Sequence, residues 1–218
     1  MNDGALNPDG GVIRLFPLPN LVLFPGAVQP LHVFEPRYRQ MTADALAGDR
    51  LIALVLPKPG WEKAYADKPA LHPVTCVGRI AGEQRLDDGR FNLLLQGVRR
   101  ASIIREVASP KLYRLAQVDL LDDVPGDDAG QEAELRRRIR EQAPEWFQGQ
   151  SELRDQFLEL IGGELALGIL ADLIAFALPL DAEFKQMLLE ELNVPRRVDR
   201  LLGQLSRPRN FPPDFSRN

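Results

Sequence analysis

The sequence predicts an α+β fold in which a small barrel of strands precedes a bundle of helices. Three observations carry that expectation. From Val12 to about Leu121 the apolar residues recur in short, strand-like runs; after Gly130 they recur at helical spacing; and the acidic stretch Asp122-Asp123-Val124-Pro125-Gly126-Asp127-Asp128 lies where the period changes. That stretch lacks the ligand spacing and terminal Glu of a calcium loop, so it reads as a solvated linker. The expected units are residues 12–121 and 130–206, with loose termini at 1–11 and 207–218.

In the first unit, Val28 to Phe34, Leu51 to Leu56, Val74 to Ile80, Phe91 to Gln96, Arg100 to Ile104 and Tyr113 to Leu121 read as strands, each short and bounded by Gly, Pro or Asp. Leu51 to Leu56 is apolar on both faces, which requires cover on both sides. Asp88-Gly89 supplies the left-handed turn of a tight hairpin between Val77 to Arg85 and Phe91 onward. One helix interrupts the strands: Pro36 suits its first turn, and Tyr38, Met41, Ala45 and Leu46 recur at helical spacing up to Gly48.

In the second unit, Glu132 with Arg136 and Glu134 with Arg138 are i,i+4 pairs of favourable orientation, with Leu135 and Ile139 as the buried stripe and Pro144 bending or ending the helix. Ser151 can cap a helix whose Leu153, Phe157, Leu160 and Ile161 form one face up to Gly162-Gly163. Leu165 to Leu178 is apolar almost all round and is expected to be the central helix of the bundle. Asp181 can cap a helix through Leu192, and Val198, Leu201, Leu202 and Leu205 line a last one.

Composition excludes several function classes. The 218 residues carry 27 Lys and Arg against 31 Asp and Glu, a net charge of −4, so the whole-molecule field does not attract phosphate backbones or anionic lipid. The lone Cys76 cannot form an internal disulfide or a thiolate cluster, and two histidines leave little capacity for metal. The N-terminus lacks the basic and apolar regions of a signal peptide, and Leu165 to Leu178, interrupted by Asp172, falls short of the roughly 20 residues that span a bilayer. A cytoplasmic protein without cofactors is expected.

No catalytic motif emerges. Gly163 and Gly168 have the separation of a nucleotide-cradling loop, but Ile169-Leu170 stands where Lys and a hydroxyl would be needed. No Gly-x-Ser-x-Gly elbow surrounds any serine, and Cys76 sits inside an apolar strand pattern, buried and inert. His32 reads as a strand residue with one satisfied nitrogen, and His72 as an exposed residue at a loop-strand junction. Glu35, after Val33-Phe34, reads as a cap of the following helix or a partner of Arg37; a hydrolase built on Glu35 or His32 is the remote reading. Arg99, Arg100 and Arg105 lack interleaved aromatics, and Arg136, Arg137, Arg138 and Arg140 alternate with glutamates on a helix, so both clusters read as solvated or salt-bridged faces. Trp61 and Tyr65 lie in a long Pro-punctuated loop, 57–69, where they either anchor a partner or pack down to pin the loop.

Several separated motifs carry a family resemblance. Phe16-Pro17-Leu18-Pro19-Asn20-Leu21-Val22-Leu23-Phe24-Pro25-Gly26, then Pro30-Leu31-His32-Val33-Phe34-Glu35-Pro36-Arg37-Tyr38, resembles the opening of the Lon protease N-terminal (substrate-binding) domain. Val77-Gly78-Arg79-Ile80, Asp87-Asp88-Gly89-Arg90, Leu94-Leu95-Gln96-Gly97-Val98-Arg99-Arg100-Ala101 and Leu178-Pro179-Leu180 are similar to that family in order and spacing, over about Val12 to Leu205. The resemblance implies a PUA-like β pseudobarrel followed by a C-terminal helical bundle, and a role in holding polypeptides. It covers no ATPase or peptidase module, so it implies a stand-alone Lon-domain protein in which neither unfolding nor proteolysis is carried over.

The function expected is therefore non-enzymatic binding of unfolded or specific polypeptides, with a protease as a further partner and no membrane. Binding would rest on apolar anchors and strand-edge hydrogen bonds, with Trp61, Tyr65, Phe34, Arg37 and Tyr38 as the candidate residues. The alternative is RNA or a small ligand in the PUA-like cleft, which the net acidity disfavours.

Overall fold

A computed structural model describes residues 11–64, 68–126, 128–146, 158–159, 161, 163 and 165–206. The chain divides into two compact units, Met1–Val124 with Asp172–Leu192, and Pro125–Ala171 with Asn193–Asn218.

The first unit holds β1 (Gly11–Pro17), β2 (Val28–Val33), α1 (Pro36–Leu46), β3 (Leu51–Val55), a short 3₁₀ turn (Trp61–Ala64), β4 (Val74–Arg85), β5 (Phe91–Val107) and β6 (Arg114–Leu121). The strands form one mixed sheet in the order β2-β5-β4-β3-β1-β6, and β6 pairs with β5 as well. That second pairing returns the order from β6 to β5, while β2 stands outside this round, pairs among the described residues only with the first half of β5 and leaves the sheet an edge.

β1 was absent from the expected strands, since Val12-Ile13-Arg14-Leu15-Phe16 does not alternate. It pairs parallel with β3, Leu15 opposite Ala53, across the crossover that contains α1, and antiparallel with β6. All of β3 is buried, as its two apolar faces require. Ile13, Leu15, Ala53, Val55, Val77, Ala101, Ala116 and Val118 share one core cluster.

The two strands expected at Phe91–Gln96 and Arg100–Ile104 are one strand. Gly97 does not end β5; it lets another part of the backbone cross it. Gly26 N donates to Gly97 O at 2.9 Å and Gly97 N to Ala27 O at 2.8 Å, and a Cβ at position 97 would lie 2.0 Å from the Phe24 carbonyl oxygen. The register with β4 shifts here, Val77 opposite Arg99 and Gly78 opposite Gly97, so Val98 is the extra residue of a bulge. The Asp88-Gly89 turn forms as expected, with Gly89 at φ +80°.

Cys76, on β4, is fully buried, and burial pushes its thiol up to about 12. The native protein is therefore expected to resist thiol reagents at pH 8, with labelling rates in urea tracking the unfolded fraction; rapid native labelling would contradict this.

Asp44 of α1 accepts hydrogen bonds from Lys111 Nζ at 2.8 Å and Tyr113 Oη at 2.7 Å. The Lys111 bond, and then the Tyr113 bond, hold its carboxyl below the ordinary value. A carboxyl depressed by folding contributes fully above its unfolded value and loses that contribution as pH falls through the folded one. Asp44→Asn is expected to flatten the acid limb of stability against pH, read by urea unfolding between about pH 6 and 3; an unchanged limb would contradict this.

The largest departure concerns Asp172–Leu192, expected in the helical bundle. Helix α3 is Leu167–Ala177 and α4 is Ala182–Glu190, and from Asp172 to Leu192 the chain belongs with the sheet. Asp172 is fully buried and forms a two-pronged ion pair with Arg100 of β5, at 2.6 and 2.8 Å. Arg100 Nε donates to the Leu189 carbonyl at 2.9 Å, and Gln186 Nε2 donates to Val74 O at 2.9 Å. Arg100, 2% exposed, is thus no part of a solvated cluster. Asp181 caps α4 as expected, accepting from Glu183 N at 2.9 Å and Phe184 N at 3.3 Å. The acidic join is exposed at Asp122 and from Val124 to Gly126, as a solvated linker is, and is tied at its start by Asp122 to Arg99 and Asp123 to Arg100.

The second unit contains α2 (Ala129–Trp146), which includes Pro144, and α5 (Val194–Leu205). Glu132 pairs with Arg136 as expected, whereas Arg138 turns to Asp199 at 2.6 Å and leaves Glu134 to Arg137. Leu135 and Ile139 of α2, and Val198, Leu201, Leu202 and Leu205 of α5, are buried. Of the helix expected after Ser151, Ile161 is buried, while Ser151, Leu153, Phe157 and Leu160 lie outside the described residues. The termini 1–10 and 207–218 also lie outside them; Gly11, expected to be loose, opens β1.

Candidate functional site

Alternation along three neighbouring strands sorts their side chains into two faces. Phe91, Leu93 and Leu95 of β5 are buried, which turns Asn92, Leu94 and Gln96 outward. In the register, Leu94 lies opposite Pro30 of β2 and Gly82 of β4, and Asn92 opposite His32 and Gln84. The outer face consequently carries an apolar row, Pro30-Leu94-Gly82, beside a polar row, His32-Asn92-Gln84. These residues line a groove of about 600 Å³. Leu94 is about half exposed and rests beside the bare backbone of Gly82, where a Cβ would touch the Leu94 side chain at 3.5 Å.

The polar row is a directed chain of hydrogen bonds. Arg90, held by Asp88 at 2.6 Å, donates from Nη1 to His32 Nε2 at 3.3 Å. His32 Nδ1 pairs with Asn92 Oδ1 at 2.7 Å, and Asn92 Nδ2 donates to Gln84 Oε1 at 3.1 Å. Because Oδ1 only accepts, His32 carries its proton on Nδ1 and accepts at Nε2. The chain therefore ends on the Gln84 amide N–H groups, at the groove. His32 uses both nitrogens, one more than expected.

Edge hydrogen bonding, by contrast, is blocked at the centre of β2. Gly97 N donates to Ala27 O, so the alternation aims the backbone groups of Val28, Pro30 and His32 away from β5. Pro30 has no N–H, and its carbonyl accepts from Gln29 Nε2 at 2.7 Å. The strand-edge recognition expected from sequence finds no continuous donor and acceptor row there.

The expected site residues do not act as one group. Phe34, 60% exposed just past β2, stacks on His32 with ring centroids 6.2 Å apart and so adjoins the groove. Tyr38 is corrected from surface anchor to core residue: it is 5% exposed, its ring lies 4.3 Å from that of Phe16, and its hydroxyl donates to Pro17 O at 3.5 Å. Arg37 pairs with Glu35 at 2.8 Å and lies over the Tyr38 ring at 4.7 Å. Glu35 is the N-cap by position and Arg37's partner by bonding, matching the second of its two expected roles. Trp61 is half-buried in the 3₁₀ turn, and Tyr65 lies outside the described residues.

His72 is another correction. Its side chain is mostly buried between Glu183, 3.2 Å away, and Glu190, 3.4 Å away. Leu94, Gly82 and Gln84 were not singled out from sequence; the signal available was the outward apolar residue in Asn92-Leu93-Leu94, which gains meaning only from its neighbours across the sheet. Among the described residues no group of three or more His, Cys, Asp or Glu could hold a metal ion, and no helix is long and apolar enough to cross a membrane.

Comparison with known proteins places these observations in a family context. The family model of the ATP-dependent protease La (LON) substrate-binding domain matches residues 12–207. Lon protease 2 of Myxococcus xanthus is 29% identical over 202 residues, covering 92% of this chain and 24% of the relative. Lon protease of Trichlorobacter lovleyi is 30% identical over 197 residues, covering 90% and 24%. The chain thus spans about a quarter of the length of these relatives. Among solved structures, the N-terminal domain of the Mycobacterium avium complex Lon protease superposes with a TM-score of 0.69 at 17% identity, covering 89% of this chain and 97% of that one. The Lon N-terminal domain protein from Xanthomonas campestris gives 0.61 at 24% identity, covering 88% and 98%. Both share the fold.

Proposed function

The chain belongs to the LON substrate-binding domain family, and from that premise we propose that it binds unfolded or otherwise accessible polypeptide segments without transforming them. The observation that carries this reading is the outward apolar groove around Leu94, flanked by the exposed Phe34 ring. Apolar surface grouped in a concavity with a few oriented polar groups is a binding feature. The cationic clusters do not support the RNA alternative: Arg99 is paired with Asp122, Arg100 is buried and Arg105 is bonded to Gln117. A protease that receives the bound segment is the proposed further partner, the strand arrangement is proposed to be a PUA-like pseudobarrel, and the cytoplasm is the proposed compartment.

The test is titration with a permanently unfolded polypeptide and with its folded counterpart, followed by tryptophan fluorescence and crosslinking. Preference for the unfolded form by about tenfold is expected, a difference of about 1.4 kcal/mol. Equal affinity, or none, would overturn the reading. Joint replacement Phe34→Ala and Trp61→Ala is expected to weaken binding severalfold with little change in melting temperature; unchanged affinity would remove both rings from the site.

A further inference from the structure

We propose that the groove selects an extended segment bearing one large apolar side chain beside a main-chain carbonyl, and that this segment crosses β2, β5 and β4 instead of adding to the sheet edge. The inference rests on the function proposed above and specifies what that site recognises.

Two geometric facts decide the orientation. Pro30 removes a donor at the centre of the free edge, and Gln29 occupies the carbonyl there, so an added strand would lose both central hydrogen bonds. The face, in contrast, leaves Leu94 about half exposed between Pro30 and the backbone of Gly82. An apolar side chain laid there removes its own surface and that of Leu94 from water.

The polar row decides the chemistry beside that side chain. Every bond from Arg90 through His32 and Asn92 to Gln84 runs in one direction, leaving amide N–H groups of Gln84 at the groove, so the ligand must supply an acceptor. Asn92 stands two residues from Leu94 on the same face, about 7 Å along β5. That spacing fits an extended chain whose side chain rests on Leu94 while a nearby carbonyl reaches the amides.

Charge favours a neutral acceptor over a carboxylate or phosphate. Arg90 is compensated by Asp88, and Arg50 by Glu83, which stands opposite the inward-facing Leu93. An anion would meet no uncompensated cation there, whereas a peptide carbonyl meets donors matched to it.

The experiment uses the whole chain and a fluorescent, unstructured peptide of Gly and Ser with a single central Leu, read by anisotropy, with the Leu→Ser peptide as its partner. Two variants separate the contributions. Leu94→Glu places a charge on an exposed position of the groove floor. Gln84→Glu keeps the acceptor for Asn92 while removing the terminal donors. The expected result is binding of the Leu peptide by the unsubstituted chain, a tenfold or greater loss in Leu94→Glu, a fivefold or greater loss in Gln84→Glu, and a matching loss with the Ser peptide. Binding that stays within twofold in both variants would overturn the proposed groove while leaving polypeptide binding itself in place. A loss in Leu94→Glu alone would overturn the acceptor requirement. Failure of the unsubstituted chain to bind the Leu peptide while binding the unfolded polypeptide would overturn the single-side-chain selection, and failure to bind either would overturn the function on which it rests.

Discussion

Asp172→Ala is expected to destabilise the protein by about 3–5 kcal/mol, because it leaves the buried Arg100 guanidinium without its two-pronged carboxylate partner. The cost arises from the charge left behind. Arg100 is 2% exposed and cannot return to water unless the Asp172–Leu192 segment leaves the sheet. Its remaining partners, the Leu189 carbonyl and the more exposed Asp123, do not replace a carboxylate facing it at 2.6 Å. Urea unfolding measures the effect. Joint replacement Arg100→Leu with Asp172→Leu is expected to recover much of the loss, since an apolar pair carries no desolvation cost. A single-variant loss below about 1 kcal/mol would show that water reaches the pair.

Gly97→Ala is expected to cost at least about 3 kcal/mol, at the upper end for overpacking, since the new Cβ would lie 2.0 Å from a backbone carbonyl oxygen. The Phe24 backbone cannot retreat without breaking the hydrogen bonds that tie Gly26 and Ala27 to Gly97. Gly82→Ala is the matched control. Its Cβ would meet the Leu94 side chain at 3.5 Å, an ordinary contact, and the change is expected to fall within about 0.5 kcal/mol of neutral. Comparable losses in the two variants would mean that position 97 is sensitive for propensity alone, which the crossing geometry contradicts.

What was legible in the sequence was local. Pro36 opens α1, Gly89 makes the hairpin turn and Asp181 caps α4, because each residue acts on backbone within a few positions of itself. The all-buried β3 was legible as an apolar run, and Cys76 as a buried thiol within one. Motif order across the chain carried the family, and through it the general binding role.

The remaining features depend on partners distant in sequence. Asp172 appeared only as an interruption of an apolar helix, and Arg100 as one arginine of a cluster; their pairing across 72 residues makes both structural and moves Asp172–Leu192 to the sheet. Gly97 read as the end of one strand, although its role comes from backbone more than 70 positions earlier. Tyr38 could face solvent or core at the same helical spacing, and Phe16 decides which. The groove is the extreme case, since Leu94 gains its neighbours Pro30 and Gly82 only through strand register. By itself the sequence determined the turns, caps, apolar periods and family of this protein, which follow from covalent geometry and nearest-neighbour chemistry. Which charges are buried, which rings are exposed and where a polypeptide can rest were decided by the tertiary structure alone, because burial and register are properties of residues that meet only when the chain is folded.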